Sequence, residues 1–396
     1  MKSEWTINKL SEIADFNPRE SLRKGTVAKK VGMDKLQPFC RDIPFYELET
    51  YTGGTKFRNG DTIMARITPC LENGKTAKVN ILEDGEIGFG STEYIVFRAK
   101  EGVDEDFLYY LVCSSIVREP AIKSMVGSSG RQRVQTDVVE NLYIAVPSYE
   151  EQHLIGGILR NLDDKIKINN KINENLLQQA LAIYKAWFCD YILSDGVLPE
   201  SWHITTIDAL SSLVTRGIAP KYDDSSTQIV LNQKCIRDHT IDVSLARRHL
   251  PKKINEKWIS KGDLLINSTG TGTLGRVAQV WFDANNMTVD SHVTIVRPKA
   301  PILQSYIGFW GLSHESEIEA QHTGSTGQTE LPRDRVKAME LTLPDEDTLS
   351  KFNELVIPMT EAVVSNQKEN IRLSQLRDTL LPKLMSGEID VSELEP

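Results

Sequence analysis

Apolar residues recur at steps of three and four along residues 150–188, a stretch that contains no proline. This periodicity predicts a long helix with one apolar stripe. The same register, moved by 197 residues, falls on Phe352 and continues toward the end of the chain. A second long helix is therefore predicted within residues 345–396.

Both stripes carry two asparagines at the same level, Asn169 with Asn173 and Asn366 with Asn370. Buried asparagines in an apolar seam set the register of paired helices. The match favours mutual pairing of the two helices over the alternative, two amphipathic helices that pack on separate cores. The predicted pairing residues are Leu162, Ile166, Asn169, Asn173, Leu176, Met359, Val363, Asn366, Asn370 and Leu373. Pro358 predicts a kink or a restart in the second helix.

An internal repeat with the same offset organises the rest of the chain. The loop sequence Gly-Ser-Ser-Gly at 127–130 recurs as Gly-Ser-Thr-Gly at 324–327, and Trp5 matches Trp202. Pro147 and Pro344 close the two copies. The repeat predicts two homologous globular domains, residues 1–147 and 196–344, each followed by a helical segment, residues 148–195 and 345–396.

Within each copy, short β-branched or alternating runs bounded by Gly, Asn and Asp predict strands. The predicted strands are 61–67, 92–97 and 142–146 in the first copy and 263–266, 276–281 and 292–296 in the second. One helix is predicted at 105–117 and another near 303–312. The fold class is therefore α+β, with two tandem α/β-mixed domains.

Composition and charge narrow the function classes. The chain has 396 residues, 40% hydrophobic and 26% charged, and no stretch approaches ~18 consecutive apolar residues, so no membrane span is expected. The start of the chain lacks the apolar core of a signal peptide, which favours the cytoplasm. The net charge of −9 resides mainly in the two helical segments, while the two predicted domains are near neutral. The acidic total therefore does not exclude a nucleic-acid partner.

The search for catalytic motifs fails. The five cysteines are scattered without a Cys-x-x-Cys pair, and no His-x-x-x-His pair exists, so no metal site is expected. The run 270–277 has the glycine spacing of a P-loop, but Arg276 replaces its lysine. Lys75 ends the equivalent run in the first copy, where Pro69 replaces the leading glycine. We interpret both runs as turns that present one cation, in a protein that is not itself an enzyme.

The remaining chemistry suits polyanions and base edges. Arg and Gln side chains make bidentate hydrogen bonds to guanine and adenine, and Ser and Thr suit phosphate. Around the repeated loop, the first copy has Arg-Gln-Arg at 131–133 where the second has Gln-Thr-Glu at 328–330. A second basic cluster lies at 247–257; its alternative interpretation is a solvated charge run. The candidate DNA-binding residues are Lys75, Ser128, Ser129, Arg131, Gln132, Arg133, Arg247, Arg248, Lys252, Lys253, Arg276, Ser325, Thr326 and Gln328.

Three segments resemble the DNA-specificity subunits of Type I restriction–modification systems. Residues 370–389 resemble the second conserved helix of that family, and the runs 324–329 and 147–152 also resemble family elements. The resemblance covers essentially the whole chain. Pro358 and the different loop residues of the two copies are modest departures from the family pattern.

The resemblance implies two target-recognition domains held apart by an antiparallel coiled coil of the two helices, with pseudo-twofold symmetry. It further implies a sequence-specific subunit that reads a bipartite, asymmetric target in double-stranded DNA. Two methyltransferase subunits would dock on the helices and supply the S-adenosylmethionine chemistry, and restriction subunits could join them. The alternative is a free-standing DNA-binding module, such as a repressor, without an enzymatic partner.

Overall fold

The computed structural model describes residues 5–128, 130–251, 257–324 and 329–392. The chain divides into two compact units. The first unit consists of residues 1–168 and 369–396, and the second consists of residues 169–368. Each unit therefore combines one globular part with portions of both long helices.

The helices are α1 (Leu10–Ile13), α2 (Glu105–Cys113), α3 (Ser115–Lys123), α4 (Thr136–Glu140), α5 (Tyr149–Phe188), α6 (Ile207–Leu210), α7 (Gln304–Ser313), α8 (Glu315–Ala320), α9 (Arg333–Lys337) and α10 (Glu346–Met385). The strands of the first unit are β1 (Thr6–Lys9), β2 (Ala14–Phe16), β3 (Val27–Val31), β4 (Glu47–Thr50), β5 (Thr55–Phe57), β6 (Thr62–Ala65), β7 (Thr76–Lys78), β8 (Gly88–Gly90), β9 (Tyr94–Ala99) and β10 (Tyr143–Val146). The strands of the second unit are β11 (His203–Thr206), β12 (Ser211–Arg216), β13 (Ile229–Leu231), β14 (Ile236–Arg237), β15 (Thr240–Ile241), β16 (Arg247–Arg248), β17 (Leu264–Asn267), β18 (Val277–Gln279), β19 (Met287–Val289), β20 (Val293–Pro298) and β21 (Glu340–Leu343).

The two units share one sheet topology. An antiparallel sheet has the order β2-β9-β6-β7 in the first unit and β12-β20-β17-β18 in the second. The ladder β1–β10 corresponds to β11–β21, and the parallel pair β3–β8 corresponds to β13–β19. This equivalence of strand orders confirms the duplication that the sequence repeat predicts, and the fold is α+β.

A buried ion pair explains one of the repeated motifs. Asp61, 1% exposed, accepts two hydrogen bonds from Arg98, from Nε and Nη2, each at 2.7 Å. Asp263 and Arg297 make the same paired contact in the second unit, at 2.8 and 2.7 Å. Each aspartate follows a glycine whose φ is positive, so the turn needs a residue without a Cβ. The Gly-Asp motif thus fixes the entry to the central strand of each sheet.

The predicted strands are confirmed to within two residues at each end, which is about the uncertainty of element ends. The helix predicted at 105–117 is wrong in its extent, because α2 ends at Cys113 and α3 begins at Ser115. Ser114 between them is extended, and its hydroxyl donates to the carbonyl oxygen of Leu111 at 2.7 Å. A serine side chain that bonds the preceding turn competes with helix continuation.

The two long helices have 40 residues each, about 60 Å at the usual rise. Of the two alternatives predicted at Pro358, the restart is wrong, because α10 runs through this residue without interruption. The kink stays a prediction. Pro358 is exposed, and one missing N–H removes a single backbone hydrogen bond, which the surrounding turns tolerate.

Within each unit the α5 and α10 portions pair in antiparallel directions. In the first unit Asp163 contacts Arg377 and Lys165 contacts Glu369, so α10 numbers fall as α5 numbers rise. In the second unit the aromatic residues near the end of α5 pack on Phe352 near the start of α10. All ten predicted pairing residues are buried or half-buried. Asn366 donates from Nδ2 to Oδ1 of Asn173 at 2.8 Å, and Asn169 is fully buried.

Candidate nucleic-acid interface

The repeated Gly-Ser loop has the same backbone anchors in both units. In the first unit Val126 and Arg133 exchange two backbone hydrogen bonds, at 3.0 and 2.9 Å, and the Val134 N–H donates to the carbonyl of Arg66. In the second unit Thr323 and Glu330 exchange the same pair, at 2.7 and 2.9 Å. Two equivalent frames therefore present loops whose side chains differ.

Gly127 is required by this frame. Its φ is +138°, and a Cβ there would lie 2.8 Å from the carbonyl oxygen of Arg131. Any L-residue would be strained at this position. The glycine of the motif thus serves loop closure.

The side chains at the loop base carry opposite charges in the two units. Arg133 makes three hydrogen bonds of 2.6–3.0 Å to the Glu93 carboxylate, and these bonds hold the pKa of Glu93 below its usual value. Glu330 occupies the position of Arg133 in the second unit and pairs with Arg216, Nη1 to Oε1, at 2.7 Å. Both cations are thus partly neutralised within their own unit.

Arg131 differs from these residues. Its side chain is exposed, and among the described residues its guanidinium has no hydrogen bond or ion pair. Its backbone N–H donates to the carbonyl of the exposed Ser128 at 2.9 Å. Gln132 is half-buried, and its backbone carbonyl oxygen accepts a hydrogen bond from the Thr68 N–H at 3.0 Å. Arg131 is therefore the cation of the Arg-Gln-Arg run that can reach a ligand without breaking a bond described in the structure.

Lys75 and Arg276 are less accessible than the cations that the sequence analysis expects the two turns to present. Lys75 is half-buried and donates from Nζ to the carbonyl oxygen of Met33 at 2.7 Å. Arg276 is also half-buried and lines a cleft of about 700 Å³ between the globular part of the second unit and its helix residues, including Asn173 and Val363. None of the described residues of the 247–257 cluster lines this cleft.

That cluster is only partly described. Arg247 and Arg248 form the exposed edge strand β16. The Arg247 guanidinium carbon stacks 3.5 Å from the ring centroid of Tyr222, a cation–π contact. Arg248 donates from Nη1 to the carbonyl of Ser226 at 2.8 Å. The other predicted contact residues, Ser129, Lys252, Lys253, Ser325, Thr326 and Gln328, lie outside the described residues.

The structure adds a basic cleft that the sequence did not indicate. It has a volume of about 560 Å³ and lies in the first unit, lined by Arg19, Tyr51, Lys56 and Arg66 among others. Arg66 links it to the Gly-Ser loop, since its Nη2 donates to the carbonyl of Val134 at 3.2 Å. These cations lie up to 47 positions apart in the chain, so no local sequence signal marks the cleft.

Two further features concern the part of the chain that the structure describes. No group of three or more His, Cys, Asp or Glu side chains there has metal-binding geometry. No helix there is long and apolar enough to cross a membrane.

Comparisons with known proteins identify similar chains. Residues 2–178 match the family model described as the Type I restriction modification DNA specificity domain. The Type I restriction enzyme MjaIX specificity subunit of Methanocaldococcus jannaschii is 26% identical over 315 residues, 74% of this chain and 71% of the relative. The HindI specificity subunit of Haemophilus influenzae is 22% identical over 410 residues, 84% and 87% of the two chains. The S subunit of a Type I restriction–modification system from M. genitalium has the same fold, with 15% identity, 96% coverage of both chains and a TM-score of 0.58.

Proposed function

We propose that this chain, which belongs to the family of Type I restriction–modification DNA specificity subunits, reads the DNA target of such a system. In this role the chain is a non-catalytic subunit of a larger assembly. It binds double-stranded DNA and directs the methyltransferase and restriction subunits to one sequence.

The observation that carries the proposal is the pair of equivalent frames with different loop chemistry. One frame presents the free Arg131 and the Arg133–Glu93 pair, and the other presents the Glu330–Arg216 pair. A constant frame with variable polar side chains is suited to reading base edges, because each side-chain set matches a different pattern of donors and acceptors. Two such readers in one chain give a bipartite target whose halves differ.

The finer assembly is also part of the proposal. Two methyltransferase subunits dock on the long helices, and S-adenosylmethionine binds to those subunits and not to this chain. Restriction subunits join the same core. Half-sites about one helical turn apart, ~34–36 Å, leave the base pairs between them unread.

The test is to express the tagged full chain in its native host and to identify what co-purifies. A methyltransferase of the amino-methylating type should be retained. Long-read sequencing should then show methylated bases at one asymmetric, two-part motif, and deletion of the gene should abolish those marks. Binding to one duplex with no methyltransferase retained and no change in methylation would favour the free-standing DNA-binding module instead.

A further inference from the structure

The edge strands β4 and β16 occupy equivalent positions in the two units. In the first unit Lys30 pairs with Glu47 of β4 on one side and with a residue of β8 on the other. In the second unit Val230 pairs with Arg247 of β16 on one side and with a residue of β19 on the other. The outer pairings are antiparallel and the inner ones parallel in both cases. Glu47 and Arg247 therefore stand at the same place in the fold.

The charge of this edge is reversed between the units. Strand β4 is exposed along its length and carries Glu47 and Glu49, which pair with Lys35 at 2.8 Å and Lys30 at 2.6 Å. Strand β16 is equally exposed and carries two arginines. A duplex backbone placed along β4 would meet two carboxylates, whereas along β16 it would meet two guanidinium groups.

At the Gly-Ser loop, the positive charge lies in the first unit instead of the second. The first unit presents Arg131 free of partners among the described residues. The second unit has Gln328 at that position in the sequence, and Glu330 at the loop base holds Arg216 in an ion pair. Of these two elements, the loop is therefore the cationic one in the first unit, and the edge strand is the cationic one in the second.

Resting on the proposed function, we infer that the two domains grip the DNA backbone with different elements. The first uses the loop that carries Arg131, and the second uses edge strand β16 with Arg247 and Arg248. The arginine side chains of this exposed edge are suited to phosphate oxygens. The ring of Tyr222 holds the Arg247 guanidinium in place, so less side-chain freedom is lost on binding.

The test uses the full chain with its co-purified partners and a duplex that carries the methylated motif. Binding is measured from 50 to 300 mM salt for Arg247→Ala/Arg248→Ala. A plot of the logarithm of the DNA-binding constant against the logarithm of the salt concentration has a negative slope, and each lost phosphate contact makes it shallower by about 0.9. The slope of the double variant should therefore be shallower by about 1.8. Phosphate protection in a footprint should disappear at one half-site and persist at the other.

Three variants serve as controls. Arg247→Lys/Arg248→Lys keeps both charges and should retain most of the slope, while unchanged thermal unfolding shows that β16 still folds. Glu47→Ala/Glu49→Ala, at the matched edge of the first unit, should leave the footprint of both half-sites unchanged. The β16 variant should reduce phosphate protection at one half-site. Arg131→Ala should reduce it at the other half-site.

The outcomes separate this inference from the proposed function. If no duplex binds to the unmodified complex, the proposed function fails. If DNA binding persists and the β16 variant keeps its slope and footprint, the inference is wrong while the function stands. If that variant keeps its DNA contacts but loses its co-purified subunits, β16 is a protein-docking edge, and the inference is again wrong.

Discussion

Removing Arg377 is expected to destabilise the first unit strongly. Its Nη1 lies 2.6 Å from Oδ1 of Asp163, and the side chains are only 12% and 7% exposed. The other carboxylate oxygen of Asp163 accepts the Tyr110 hydroxyl at 2.6 Å, and burial raises the pKa of that hydroxyl above its ordinary value. Arg377→Ala would leave a buried carboxylate with one neutral donor. Loss of one partner from such a pair costs about 3–5 kcal/mol.

For a unit of about 200 residues, this cost corresponds to a fall of about 6–20 °C in the midpoint of thermal unfolding. Urea unfolding of the full chain, followed by tryptophan fluorescence and circular dichroism, measures the free energy directly. The matched control is Arg372→Ala on the same helix, an exposed arginine, which should stay within about 0.5 kcal/mol of the unmodified protein.

A second variant separates burial of a charge from loss of packing. Asp163→Leu/Arg377→Leu removes both charges and should recover most of the loss, because apolar residues often replace a buried ion pair without cost. At the repeat offset of 197 residues, Ala180 corresponds to Arg377 and Thr360 corresponds to Asp163. The second unit therefore has no ion pair at these positions. If Arg377→Ala differs from Arg372→Ala by less than about 1 kcal/mol, the pair does not stabilise the helix contact and the reasoning is refuted.

Three further predictions concern the helices and the DNA contacts. Replacement of the four seam asparagines by leucine should raise the unfolding temperature while loosening the register or the oligomeric state; a lower temperature with an unchanged oligomeric state would contradict this. Arg131→Ala should lower the salt slope of duplex binding by about 0.9, whereas Arg276→Ala, in its cleft beside the helices, should leave the slope unchanged. Equal effects of the two variants would show that the exposure of Arg131 is irrelevant. Exchange of residues 201–344 for the domain of a relative should change one half-site of the methylated motif; a change in both halves would show that the repeats do not read separately.

The elements that the sequence predicted best are those with a long period or a second copy. The 40-residue helix α5 follows from its three- and four-residue spacing, and the repeat made each strand prediction testable against its counterpart. The restart expected at Pro358 was wrong because a proline signal is local, while the packing of Phe352 and Val356 stabilises α10 across this position. The break at Ser114 was missed because an apolar pattern does not report a hydroxyl that bonds its own helix.

The candidate interface was less predictable, because its properties depend on partners distant in the chain. Arg131 and Arg133 are both arginines of one short run, and the sequence does not distinguish them. Glu93, 40 positions away in the chain, forms an ion pair with Arg133 and not with Arg131. Lys75 was interpreted as a cation presented by a turn, and its Nζ donates to the carbonyl oxygen of Met33. The sequence shows which cationic residues the chain contains. The ion pairs and hydrogen bonds of the folded chain determine which of these side chains can bind a ligand.

The division of the chain into units has a consequence for synthesis on the ribosome. The core of the first unit contains Leu10 and Phe107 together with Leu384, Met385 and Val391 from beyond the second unit. At about 5–20 residues per second, roughly 10–40 s separate translation of residue 168 from translation of residue 369. Throughout that interval the apolar face around Ile155 and Leu159 lacks part of its native cover. The first unit therefore cannot complete its core until residues 384–391 have been translated, and a chain truncated before residue 384 is expected to be cleaved faster in limited proteolysis.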